Sequence, residues 1–212
     1  MKIYILNYGL GNIRSIYNAI NKCGYKAKLI SEDKKIDCDV LIIPGVGSFS
    51  QASKILNNKF KIILKLIKEN NFFLLGICLG MQIMANKGNE NGNHSGLGIF
   101  DSEVKMIPKS IEKPIIGWKK TIIKNSKLTF LKKYHNHKFY HVHSYYLNSK
   151  KNIHGFIVEN KFKIPSIVYK KNHLGLQFHP EKSGKTGLKL LKDIIKNVRY
   201  IWRIKLQDMV CH

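Results

Sequence analysis

Three short, nearly unbroken apolar runs most constrain this chain: KIYIL at 2–6, VLII at 40–43 and FFLLGI at 72–77. A strand that is apolar on both faces must be covered on both, the situation of a parallel sheet between layers of helix. The intervening segments supply helices. Ile13, Ile16, Tyr17 and Ile20 follow i, i+3, i+4, i+7 spacing, and Phe60, Ile63, Leu64 and Ile67 repeat it. Ala27–Ile30 reads as a further short strand. After Lys87 the texture changes: NKGNENGNHSG reads as a loop, and short β-like runs follow at Ile99–Met106, Ile115–Ile123, Lys138–His143, Gly155–Val158, Ile164–Tyr169 and Leu174–Phe178. Lys185–Trp202 resumes a helical pattern, with Leu188, Leu191, Ile195 and Val198 on one face. The expected architecture is α/β in three layers: a central, mostly parallel sheet flanked by helices, with additional β-structure in the C-terminal half. No repeat or linker divides the chain, so 1–200 is expected to form a single domain and 201–212 a C-terminal tail without a clear signal.

With 212 residues, 44% of them hydrophobic, the chain can bury one sizeable core. No apolar run reaches the roughly 20 residues of a membrane span. The opening MKIYIL is interrupted too soon by Asn7-Tyr8-Gly9 to be a signal peptide. Four cysteines without a CxxC pair fit a reducing compartment and no structural zinc, so a cytoplasmic, membrane-free protein is expected. The net charge of +24 raises the question of a nucleic-acid partner. Only Arg14, Arg199 and Arg203 of the 37 basic residues are arginine, and the lysines are spread along the whole chain. Lysine is a hydrated point charge, whereas base and phosphate readers recruit the arginine fork. The charge is read as biased composition, and no nucleic acid is expected.

Several segments bear on chemistry. Gly9-x-Gly11 follows the first strand, but Arg14 stands where a dinucleotide fingerprint needs its third glycine, so a tight turn into a helix is favoured. Gly76-Ile77-Cys78-Leu79-Gly80 follows FFLLGI and has the Gly-x-nucleophile-x-Gly form of a strand-to-helix elbow. Such an elbow lifts one side chain above the carboxyl edge of the sheet, where a helix dipole favours thiolate. Taken alone, Cys78 fits a buried structural cysteine equally well. Gly175–Ser183 (GLQFHPEKS) delivers His179 at a strand end stopped by Pro180, with Glu181 two residues on. A thiol nucleophile needs a base, and the base needs an orienting carboxylate; this segment holds both. Pro44–Phe49 (PGVGSF) ends VLII with amides free to aim at a developing oxyanion. His135, His137, His141 and His143 form two HxH pairs without a carboxylate or cysteine among them; His141 and His143 share one face of a probable strand, and no metal is expected.

Together these segments resemble class I (triad-type) glutamine amidotransferases, and among them the glutaminase subunits of imidazole glycerol phosphate synthase. The matching pieces are NYGLGN, PGVGSF, LLGICLGMQ, GLGIF, Gly117-Trp118, FYHVHSYY and GLQFHPEKSG, spread over about residues 3–195. The resemblance implies Cys78 as nucleophile, His179 as general acid and base and Glu181 as its orienter. It implies an oxyanion hole from the Leu79 amide and the Val46-Gly47 segment, which has to change peptide orientation first. Gln82, Ser144 and Tyr145 match positions that hold L-glutamine. Asn12, Trp118 and Lys182 match positions near the docking face for a (β/α)8 barrel cyclase subunit, which takes the ammonia in a heterodimer. No cofactor is implied.

Two departures bear on that face. Pro114-Ile115-Ile116-Gly117-Trp118-Lys119 replaces the family's usual Pro-His-Met-Gly-Trp-Asn, and NKGNENGNHSG lacks the usual acidic pair. An alternative is therefore a paralogue that feeds a cyclase-like barrel for amidination of a surface sugar. A different class, an inactive regulatory module, is disfavoured by the complete Cys78, His179 and Glu181 set.

Overall fold

The computed structural model describes residues 1–69, 72–124 and 127–210. The chain runs β1 (Ile3–Leu6), α1 (Ile13–Lys22), β2 (Ala27–Ile30), β3 (Val40–Ile43), α2 (Phe49–Lys59), α3 (Lys61–Glu69), β4 (Phe73–Ile77) and α4 (Leu79–Gln82). It continues β5 (Ala85–Gly88), β6 (His94–Ser95), β7 (Phe100–Met106), β8 (Ile115–Lys120), β9 (Ile122–Ile123), β10 (Lys138–His143) and β11 (Tyr145–Asn148). It ends β12 (Ile153–Glu159), β13 (Phe162–Lys170), β14 (His173–Leu176) and α5 (Gly184–Val210).

The main sheet has eight strands in the order β2-β1-β3-β4-β14-β13-β12-β9. The first five run parallel and the last three antiparallel. The solid apolar runs explain the layering. Val40 and Ile42 point to one core, with Ile3, Ile5, Phe73, Leu75 and Ile77, and are covered by Ile16 and Ile20 of α1 and by Leu191, Ile194, Ile195 and Val198 of α5. Leu41 and Ile43 point the other way with Leu74, under Phe49, Ala52 and Leu56 of α2 and Ile63 and Ile67 of α3. Each fully buried Ile, Leu or Phe contributes about 1.5–3 kcal/mol, so both layers are needed.

Parallel strands finish at one edge of the sheet, where open α/β folds place their sites. Here that edge receives the turn after β1, the PGVG loop after β3, the elbow after β4 and the QFHPE segment after β14. Two smaller sheets close it from above: the antiparallel β8–β10 pair and a four-stranded sheet ordered β11-β7-β5-β6.

Several expectations need correction. NKGNENGNHSG is not all loop, since it contributes β5 and β6. α2 carries no apolar stripe strong enough to announce it; its inner face includes the buried serines Ser50 and Ser53, and Ser48 caps it by accepting from the Gln51 amide. α5 runs on to Val210, through most of the segment that offered no signal, while 211–212 lie outside the described residues. Among the described residues no helix is long and apolar enough to cross a membrane.

Candidate active site

Cys78 sits between β4 and α4 at φ 52, ψ −108. That is the left-handed region, which a non-glycine residue occupies only under constraint from its surroundings. The constraint comes from the flanking glycines. A Cβ on Gly80 would lie 1.9 Å from the Ile43 carbonyl oxygen, and one on Gly76 2.5 Å from the Gly80 oxygen. Main chain thus packs on main chain, and residue 78 is held upright between them. α4 is a single turn of four residues, so the dipole expected to favour thiolate there is small, and stabilisation of the sulfur has to come from side chains. Cys78 is only 6% exposed. Its sulfur lies 3.7 Å from Gln177 Nε2 and 4.0 Å from the Val142 carbonyl oxygen.

The pairing of β14 with β4, Leu176 opposite Ile77, carries the following residues past the elbow. His179 is 1% exposed. Its Nδ1 lies 2.7 Å from Glu181 Oε1, whose side chain is wholly buried. A carboxylate accepts, so Nδ1 carries the proton and Nε2 is the nitrogen left for chemistry. That Nε2 is buried and makes no hydrogen bond. Burial works against an imidazolium at 179, yet the Cys78 sulfur and the Glu181 carboxylate outweigh it and hold the ring up to about 10. The backbone is clamped as well. The His179 amide donates to the Tyr140 carbonyl at 2.9 Å. Ser183 Oγ donates to the His179 carbonyl at 2.6 Å and accepts from the Tyr140 amide at 2.9 Å. The elbow cysteine, distant in sequence, comes near enough for its sulfur to act on the His179 ring, which Glu181 holds from the other nitrogen.

Beside the sulfur opens a cavity of about 310 Å³. Val46, Gly47 and Leu79 line it, as do Gln82, Ser144 and Tyr145. Gly47 has φ 121, which glycine alone adopts at ease, and the PGVG loop is anchored at its start by the Tyr8 hydroxyl donating to the Pro44 carbonyl at 2.8 Å. Glu90, Val142 and His143 complete the lining; Glu90 and Val142 were not singled out from the sequence, and His143 was weighed there only as a metal ligand. Glu90 Oε2 accepts from the Phe49 amide at 2.5 Å, at the start of α2. The Tyr145 hydroxyl is pushed up by burial and by the Glu90 charge. A signal for Glu90 existed: it is the single acidic residue between Cys78 and Asp101.

A chain of hydrogen bonds underlies the cavity. Gln82 Nε2 donates to the Tyr145 carbonyl at 2.9 Å and lies 3.1 Å from Gln177 Oε1. The same carbonyl is 2.9 Å from His143 Nδ1, and His143 Nε2 is 3.1 Å from His141 Nδ1. Alternation along β10 places Phe139, His141 and His143 inward together. Burial drives His143 down to about 4, against the pull of its backbone hydrogen bond, and lowers His141 as well. The two imidazoles are thus neutral and occupied with each other and with the main chain.

The three residues expected near a docking face all lie toward this edge. Trp118 is 52% exposed, meets Tyr140 edge-on at 6.3 Å, and stands over Gly184. Lys182 is exposed in the 180–182 turn, and Asn12 is half-buried at the start of α1. Ile116, in the departing PIIGWK segment, is 56% exposed.

A strained elbow cysteine beside a buried His–Glu pair, at the wall of a small cavity, is an arrangement suited to thiol-dependent acyl transfer on an α/β sheet. The chain belongs to the class I glutamine amidotransferases, whose family model matches residues 4–198. Its curated relatives are more specific. It is 42% identical over 195 residues to imidazole glycerol phosphate synthase subunit HisH of Caldanaerobacter subterraneus subsp. tengcongensis, covering 90% of this chain and 96% of that one. It is 36% identical over 200 residues to the HisH subunit of Archaeoglobus fulgidus, covering 93% and 99%. Within its class the chain thus belongs to the HisH family. Among solved structures, PurLQS from Thermotoga maritima superposes with a TM-score of 0.70 at 21% identity, over 93% of this chain and 98% of that one, a likeness of fold.

Proposed function

We propose that this chain is the glutaminase subunit of imidazole glycerol phosphate synthase, with Cys78, His179 and Glu181 as its catalytic triad. The observation that carries the site assignment is the left-handed Cys78 set beside the Glu181-oriented imidazole of His179. The thiolate attacks the side-chain carboxamide carbon of glutamine. The oxyanion is met by the Leu79 amide and by the Val46-Gly47 segment. His179 gives its proton to the departing nitrogen, and ammonia leaves. Water, deprotonated by the same imidazole, then adds to the glutamyl thioester. The C–S bond breaks, its electron pair returns to sulfur, and glutamate is released.

Both amide hydrogens of Gln82 are engaged by Tyr145 and Gln177, so its oxygen is the atom offered to the substrate. Glu90 supplies the negative charge that the α-ammonium of glutamine requires. The Ser144-Tyr145 pair completes the grip.

Free ammonia at neutral pH becomes ammonium, which is no nucleophile, so the product has to pass directly into a second protein. A (β/α)8 cyclase subunit docking over Asn12, Trp118 and Lys182 in the cytoplasm fits that need; it would form imidazole glycerol phosphate and an aminoimidazole carboxamide ribotide. Trp118 and Ile116, exposed on β8 beside the strand that carries Val142 of the cavity wall, support a docking edge there. The test is growth without histidine of a strain lacking its own subunit, rescued by the wild-type chain and not by Cys78→Ala. Failure of the wild type to rescue, with copurification of a sugar-modifying partner, would select the paralogue reading.

A further inference from the structure

We propose that the side-chain amide of Gln177 is a hydrogen-bond donor to the Cys78 thiolate, aimed there by the main-chain carbonyl of Tyr145 acting through Gln82. This rests on Cys78 being the nucleophile proposed above. A carbonyl oxygen can only accept. The Gln82 atom 2.9 Å from the Tyr145 oxygen is therefore its amide nitrogen. The same nitrogen lies 3.1 Å from Gln177, so the Gln177 atom it meets is the oxygen. The other terminal atom of Gln177, 3.7 Å from the Cys78 sulfur, is then its NH₂. Two side-chain amides, each free to flip on its own, are fixed in orientation by one main-chain group.

The sulfur needs such a donor. A buried anion is costly unless paired and hydrogen-bonded. His179 supplies the charge on one side. The Val142 carbonyl, 4.0 Å from the sulfur, accepts from a thiol and works against a thiolate. The single turn of α4 adds little. Gln177 is fully buried, so water does not compete for its N–H. The same donor serves the second half of the reaction: when the C–S bond of the thioester breaks and its electron pair returns to sulfur, Gln177 meets the charge that forms. During the thioester stage sulfur is neutral and the bond weakens, so the stabilisation is present when sulfur is anionic and absent when it is acylated.

The experiment is alkylation of the full-length chain by iodoacetamide from pH 5 to 10, followed by mass spectrometry of the Cys78 peptide. Gln177→Glu keeps the shape and turns a donor into an acceptor; Gln177→Met removes the donor. In both, the midpoint of the alkylation profile is expected to rise by about one pH unit and the rate at pH 7 to fall about tenfold. A folded variant whose profile superposes on that of the wild type overturns the proposal. Should neither variant fold, the wild type decides. The Gln177 side-chain amide protons are expected to shift in NMR spectra along the Cys78 alkylation profile, and to stop shifting in Cys78→Ala. Resonances indifferent to that ionisation overturn it equally. Glutamine turnover that survives Cys78→Ala sinks the nucleophile reading without touching these two results.

Discussion

Glu181 Oε1 lies 2.7 Å from Nδ1 of His179, with both side chains closed to solvent. The contact fixes which ring nitrogen holds the proton, and so leaves Nε2 as the nitrogen for proton transfer. Glu181→Gln removes the charge and presents an amide that can donate as readily as accept. The wrong tautomer then becomes accessible, and kcat for glutamine hydrolysis is expected to fall by about 10²–10⁴-fold with KM little changed. Steady-state kinetics in the assembled complex reads this; undiminished turnover would remove Glu181 from the mechanism.

Cys78→Ala is expected to eliminate the proposed nucleophile and to leave the fold and the proposed docking edge in place. Glutamine-dependent synthesis in the complex is expected to vanish, while synthesis from added ammonium salt continues. Parallel assays with the two nitrogen sources separate a chemical loss from a failure to assemble.

In the proposed reading Glu90, in the cavity wall, contributes its charge to substrate binding and not to bond breaking. Glu90→Gln keeps an acceptor for the Phe49 amide and loses the charge-assisted contact with the substrate's ammonium. At about 1.5–3 kcal/mol for such a contact, KM for glutamine is expected to rise about ten- to a hundredfold, with kcat less affected. An unchanged KM would move the α-ammonium elsewhere in the cavity.

His141 and His143 make the fold sensitive to acid. Both imidazoles are buried and lowered, His143 to about 4. The unfolded chain takes up these protons near the ordinary value of about 6.5, before the folded chain does. Stability is therefore full above about 6.5 and is lost as pH falls from there toward 4. Each such histidine contributes a slope of up to about 1.4 kcal/mol per pH unit. His141→Phe, beside Phe178, is expected to flatten that slope, as urea unfolding at pH 5 and 7 would reveal. A slope equal to the wild type's would place the acid sensitivity in other groups.

Val46, in the cavity wall, is 39% exposed, and Trp118, on β8, is 52% exposed. If, as proposed, the PGVG loop completes the oxyanion hole only under a partner, the isolated chain is expected to hydrolyse glutamine slowly and the complex rapidly. Trp118→Ala is expected to weaken the complex by about tenfold or more, measured by calorimetric titration. Fast turnover by the chain alone would show the loop already set.

Much of the site was legible because sharp chemistry leaves local signatures. Gly76 and Gly80 announce a backbone folded against itself, and Pro180 marks the strand end that presents His179. The alternation of β10 predicted that His141 and His143 share a face. What was not legible depends on distance in three dimensions. Glu90 lies in a segment read as loop, and only the closure of β5 and β6 over α2 brings its carboxylate to the cavity. Gln177 reads as one more strand residue until Gln82 is seen beside it. α2 escaped because serines on its buried face break the apolar stripe. The end of α5 was read as a tail although Val198, Trp202, Leu206 and Met209 continue the helical spacing to its last turn.

The carbonyl of Tyr145 has one more consequence. Side chains drift over evolutionary time, but a peptide oxygen is common to every residue type. Whatever stands at position 145, the direction of the two glutamine amides would be inherited unchanged, so the polarity felt by the sulfur is written in the main chain and is shielded from mutation at that point.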